Sequence, residues 1–221
     1  MSDTCATCRR PMVACVCDRV VELPTRVRVL ILQHPQEQDV VLGSAQIVEA
    51  CLPSAQIVVG LSWRNLADAL GDEAVDAKKW AVLFPDRESE GDHVATRKGV
   101  PLDASDLEGI VVLDGTWSKA KTLWWRNAWL NKMNRMTLSP KSPSIYGHLR
   151  KEPKRDYVST LESVAQALTQ CGEDPKVQAS LERIFRTMVQ RVRDAKLIPA
   201  AVKRSERHRR AKPRPPQTPQ E

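Results

Sequence analysis

Four cysteines crowd the start of this chain, and their spacing suggests a chemistry: Cys5-x2-Cys8-x6-Cys15-x-Cys17 places four thiols within 13 residues. A Cys-x2-Cys pair commonly supplies two ligands from one tight turn, and Zn²⁺ takes four thiolates at about 2.3 Å in a tetrahedron. Two disulfides in so short a stretch would not hold against a reducing cytosol. The spacing therefore points to a zinc-binding head over residues 1–22 with Cys5, Cys8, Cys15 and Cys17 as ligands. Redox thiols or an iron–sulfur cluster are the alternatives, because the Cys15-x-Cys17 half is tighter than the usual second knuckle. A closed four-thiolate site leaves no position for substrate, so its metal is structural. Cys51 and Cys171 fall in predicted helices and read as small buried hydrophobes.

The second constellation is Asp114-Gly115-Thr116-Trp117, at the end of the apolar run Ile110-Val111-Val112-Leu113. A carboxylate at a strand end can cap the next helix and do no more. Its surroundings argue for more. Trp117, Trp124, Trp125 and Trp129, four of the six tryptophans, follow it among Lys119, Lys121 and Arg126. Such side chains stack on bases and grip phosphates. Trp117, Trp124 and Trp125 also share one helical face, so part of this set is expected in the core.

Charge distribution agrees with that reading. The net charge is +7, yet residues 118–155 carry ten Lys or Arg against Glu152 alone, and residues 199–221 carry seven against Glu206 and Glu221. All other residues sum to −7. Clustered bases that neutralise phosphates release counterions, so a polyanion such as a nucleic acid is the expected partner of these two segments. No apolar run approaches the roughly 18–20 residues of a membrane span. Met1-Ser2-Asp3-Thr4 also lacks the start of a signal peptide. A cytoplasmic location, no membrane partner and a monomer are expected.

The elements that must position these groups follow from periodicity and breakers. Apolar runs predict strands over residues 27–32, 56–60, 80–84, 110–114 and 135–138. Helices are predicted over 43–51, near 66–70 and over 118–127, with a loop over 86–103. Ser159-Thr160-Leu161-Glu162 has capping-box spacing and opens a helix that Gly172 closes. Asp174-Pro175 opens another, whose Val177, Leu181, Ile184, Phe185, Met188 and Val192 form one apolar stripe. After Pro199 the chain is Lys, Arg, Pro and Gln with little to bury, which predicts a disordered basic tail.

In order, Asp114-x-Thr116-Trp117, Pro143-Ser144-x-Tyr146-x-x-Leu149-Arg150 and Ser159-Thr160-Leu161-Glu162 resemble the motifs of the DTW-domain family. With the four-cysteine head and the His34-Pro35 turn, the chain is similar to the bacterial tRNA-uridine aminocarboxypropyltransferases of that family. The resemblance spans roughly residues 5–170. Leu42-Gly43-Ser44 departs from a common Thr-Asn-Thr-like helix start, and Asn127-Ala128 from a common Asn-Pro.

The resemblance implies an α/β core of SPOUT-like, knotted Rossmannoid type with helices on both sheet faces. The domains it suggests are the head (1–22), a catalytic DTW unit (23–198) and the tail (199–221). It also implies S-adenosylmethionine as donor. The expected reaction moves the 3-amino-3-carboxypropyl group to N3 of a uridine in the variable loop of tRNA and leaves methylthioadenosine. Asp114 is the candidate to accept the N3 proton or to orient the uracil edge, an ordinary carboxylate of pKa about 3.9 being a weak base at neutrality. Thr116 and Trp117 are its expected companions. Phe84, Pro85, Leu113, Asp114, Ser144, Tyr146 and Leu161 are the expected donor pocket, and Lys119, Lys121, Arg126, Arg150 and Lys151 the expected RNA contacts. A methyltransferase using the same donor on RNA, and a non-enzymatic zinc-containing RNA-binding protein, are the rival readings.

Overall fold

A computed structural model describes residues 4–84, 91–140, 142–149 and 158–197. Its centre is a seven-stranded sheet of order β2-β1-β6-β3-β7-β4-β5. The strands are β1 (Arg28–Gln33), β2 (Ala55–Val59), β3 (Trp80–Leu83), β4 (His93–Ala95), β5 (Pro101–Leu102), β6 (Gly109–Asp114) and β7 (Asn134–Thr137). The five that the apolar runs predict are mutually parallel. Continuous apolar runs suit them, because a parallel sheet is covered on both faces.

The alternation of side chains along each strand builds two cores. Val29, Ile31, Ala81, Ile110, Val112 and Met136 point to one face. They pack there with residues of α1 (Ala45–Cys51), α4 (Thr160–Gln170) and α5 (Pro175–Asp194). Leu30, Leu32, Val82 and Val111 point to the other, against α2 (Leu66–Leu70) and the turn after α3 (Trp117–Arg126). The α5 stripe docks as its spacing predicts, with Val189 added to it. Cys51 and Cys171 are buried. The cysteine head joins the first core through Ala14 and Val16. No helix among the described residues is long and apolar enough to cross a membrane.

One predicted segment differs. The loop expected over 86–103 contains β4 and β5, an antiparallel hairpin that extends the sheet beyond β7. Its strands have three and two residues, too few to show alternation, although Gly99 (φ 81°) marks the turn between them. The expected disordered tail, residues 199–221, lies outside the described residues.

One contact in the second core sets a strict packing limit. Trp80 is paired with Gly109 in register, and a Cβ on Gly109 would lie 2.5 Å from the indole ring. Gly109→Ala is therefore expected to cost about 2–3 kcal/mol through overpacking, seen as a lower urea midpoint at unchanged slope.

Candidate active site and metal centre

Asp114 is the last residue of β6 and only 7% exposed. Register puts Gln33, the last residue of β1, directly opposite. Gln33 Nε2 donates to Asp114 Oδ2 at 2.8 Å, and Thr160 Oγ1, in the first turn of α4, donates to Oδ1 at 2.5 Å. The N-cap position of α3 falls on Thr116, two residues later, so the Asp114 side chain is not that helix's cap. Two strand ends and a helix start hold one carboxylate in a fixed plane. Trp117, opening α3, is 39% exposed beside it, and Thr116 is exposed as well.

The start of α4 is itself braced by Glu162. Ser159 Oγ accepts from Glu162 N at 3.2 Å, and Glu162 Oε2 accepts from Ser159 N at 2.8 Å, completing the expected capping box. The same carboxylate accepts from Ser144 Oγ and from Ile145 N, each at 2.8 Å, and so ties the Pro-Ser-x-Tyr loop to the helix. Tyr146 is 1% exposed; its hydroxyl donates to the Leu42 carbonyl, and its ring meets Phe185 edge-on at 4.9 Å. Leu161 is fully buried, and its N–H donates to Ser44 Oγ at 3.2 Å. Glu162→Ala removes a cap and two loop anchors. It is expected to lower the unfolding free energy by about 2–4 kcal/mol in a urea titration.

The expected site residues thus fall into groups. Asp114, Ser144 and Leu161 converge on the start of α4, directly or through Glu162, while Tyr146 turns into the first core. Leu113 and Phe84 are half-buried on neighbouring strand ends, and Phe84 meets Trp124 at 5.0 Å. Lys121 and Arg126 are exposed on α3, with Trp125 72% exposed between them and Trp124 turned to the second core. Lys119 is instead tied to the buried Glu37 at 2.7 Å, which restricts its ammonium. Pro85, Arg150, Lys151 and the tail bases lie outside the described residues. Reading the residues alone missed Gln33, Thr160, Ser44 and Glu162 as site-forming groups. Thr160 and Glu162 were visible within a motif, whereas Gln33 carried no signal beyond its place at a strand end.

In the head, Cys5 and Cys17 Sγ are 3.8 Å apart, Cys8 and Cys15 Sγ 3.7 Å, and all four lie within 4.8 Å of one another. Bonds of about 2.3 Å in a tetrahedron require sulfurs about 3.8 Å apart. The geometry fits zinc. The backbone N–H groups of Cys8 and Thr7 draw the Cys5 thiol down to about 6, while burial pushes Cys15 and Cys17 up. Four adjacent thiols cannot all ionise without a cation among them.

The head is clamped from two sides. Arg10, nearly fully buried, donates Nε to the Val41 carbonyl at 3.2 Å and Nη2 to that of Gly43. Arg191 of α5 grips Asp18 with both Nη atoms, at 2.7 and 2.8 Å, and holds that carboxyl down at about 2.

A mainly parallel α/β sheet with a buried carboxylate ending the middle one of its five parallel strands, and a four-thiol head packed into the same core, defines the class. The DTW domain matches residues 2–193, head included, and the chain belongs to that family. Curated relatives named tRNA-uridine aminocarboxypropyltransferase 2 occur in three animals. The Drosophila melanogaster protein is 29% identical over 195 residues, covering 83% of this chain and 72% of its own length. Those of Macaca fascicularis and Mus musculus are each 28% identical, over 184 and 189 residues, covering 81% of this chain in both cases. The chain spans 60% of the length of these two. No solved structure matches.

Proposed function

We propose that this protein transfers the 3-amino-3-carboxypropyl group from S-adenosylmethionine to N3 of a uridine in the variable loop of tRNA. The observation that carries this reading is the family match over residues 2–193, with relatives named for that transfer. Uracil N3 loses its proton and attacks the γ-carbon beside the sulfonium. The carbon–sulfur bond breaks, its electron pair stays on sulfur, and methylthioadenosine leaves. The sulfonium is already a good leaving group, so the protein's work is proton removal and in-line positioning.

Asp114 accepts the N3–H of the uracil edge, in the plane that Gln33 and Thr160 impose on it. Trp117 covers the ring and Thr116 hydrogen-bonds beside it. Ser144 at the start of α4, with Phe84 and Leu113 from the ends of β3 and β6 and together with Pro85, forms the donor site, and the buried Tyr146 and Leu161 pack beneath it. Lys121, Arg126, Arg150 and Lys151 meet the tRNA backbone, and Lys119, expected among them, is engaged by Glu37 instead. Cys5, Cys8, Cys15 and Cys17 hold a Zn²⁺ that cross-links the head and takes no part in the transfer. We place the protein in the cytoplasm as a monomer, with head (1–22), catalytic unit (23–198) and basic tail (199–221). The catalytic unit is read as the knotted SPOUT type; the insertion of β6 between β1 and β3 supports the Rossmannoid part of that reading.

Mass spectrometry of nucleosides from tRNA incubated with the protein and donor tests substrate, donor and transferred group together. A uridine heavier by one aminocarboxypropyl group is expected. A uridine heavier by a methyl group, or no new nucleoside, would remove the reading.

A further inference from the structure

The second core takes no residue from β7, β4 or β5, and on that side of the sheet a cavity of about 460 Å³ opens beside Phe84. Strand register sets its lining. His93 pairs with Thr137 and Ala95 with Arg135, so these four share a face, opposite the one on which Val94 and Met136 join the first core. Arg97, exposed in the turn after β4, completes the wall. His93, Arg97 and Arg135 line the cavity, and no acid does among the described residues. The neighbouring Asp92 is turned the other way. It accepts from Ser139 N at 2.5 Å and from Gln166 Nε2 of α4 at 3.0 Å.

Arg135 is the unusual member. Its guanidinium lies 4.7 Å over the Phe84 ring, and its Nε is buried with no hydrogen-bond partner among the described residues. Planar guanidinium groups stacked on aromatics are suited to phosphate. We infer that this cavity is a phosphate subsite for the RNA strand, with Arg135 as its principal contact and Arg97 and His93 beside it.

The inference rests on tRNA being the substrate. β7 is two strands from β6 and β4 is three, which places the cavity about 10–15 Å across the sheet from the strand ending in Asp114, on the face opposite α4. A few nucleotides of backbone span that distance. Phe84 bridges the two regions, with Arg135 on its face and Trp124 of α3 at 5.0 Å. The cavity thereby continues the basic, tryptophan-bearing surface of α3 rather than forming an isolated site.

The test is binding of an unmodified tRNA transcript, followed by fluorescence anisotropy at several salt concentrations. Arg135→Gln and Arg97→Gln should each reduce the slope of log K against log salt by about 0.7 to 0.9, weakening binding roughly fivefold to tenfold at 0.1 M salt. S-adenosylmethionine affinity of the Arg97→Gln variant, measured by calorimetry, should stay at the wild-type value. Arg135→Lys, which retains the charge, should recover most of the slope. Because Arg97 is exposed, its variant reports on binding even where an Arg135 variant folds poorly. Unchanged slopes in both glutamine variants, over a salt-dependent wild type, overturn the inference. Loss of donor affinity with intact tRNA binding overturns it too, assigning the cavity to the donor's carboxylate. A wild type whose tRNA affinity ignores salt removes the functional reading along with it.

Discussion

Asparagine in place of Asp114 is expected to lower turnover at saturating donor and tRNA by about 10²–10⁴-fold, the range for loss of a positioned proton acceptor. The substitution suits the question because the pocket tolerates an amide. Gln33 can donate to the amide oxygen, while the Thr160 hydroxyl rotates to accept from the amide nitrogen. Orientation is kept and basicity is lost. Steady-state kinetics with both substrates reads the result, and a loss below about tenfold would leave Asp114 an orienting group only. Thr160→Val is the companion variant. It deletes one donor to the carboxylate without touching its charge, and a fall of about tenfold in turnover is expected.

The second large effect is expected from the head. Cys8→Ser should yield protein without bound zinc by atomic absorption, because three thiolates no longer close the tetrahedron. The loss does not stop at the metal, since Ala14 and Val16 sit fully buried in the first core between the second pair of ligands and the domain. Releasing them, with the Arg10 and Arg191 clamps, is expected to cost about 3 kcal/mol. For a chain of this size that is a fall of roughly 6–12 °C in melting temperature. Wild-type melting with the metal absent from the purified protein would show the thiol cluster to be held by the fold alone.

What was legible in the residues follows a physical divide. Strands buried on both faces announce themselves as unbroken apolar runs, so β1, β2, β3, β6 and β7 were located within a residue or two. The α5 stripe and the Ser159 capping box were legible because each is a short-range pattern. The hairpin β4–β5 was hidden by its brevity. Strand order was not legible at all, and with it went Gln33, which faces Asp114 only because β6 inserts beside β1. Asn127, noted only as a departure from a family pattern, proves to be a fully buried hub. It accepts from Trp63 N and donates to the Leu61 carbonyl, contacts set by long-range folding, and also donates to the Leu123 carbonyl one turn back.

The clamp between Asp18 and Arg191 spans 173 positions of chain. The cysteines can gather a metal as soon as they are made, but the surface on which the head rests is completed only when α5 arrives. Docking of the head is thus among the latest events of synthesis, and contacts of such long sequence separation form slowly. A nascent chain halted before residue 191 would hold its head by the Arg10 contacts to Val41 and Gly43 alone, without the Arg191 clamp. The same arrangement makes the far end of α5 a checkpoint on the near end of the chain: an intact clamp reports that everything between has been built.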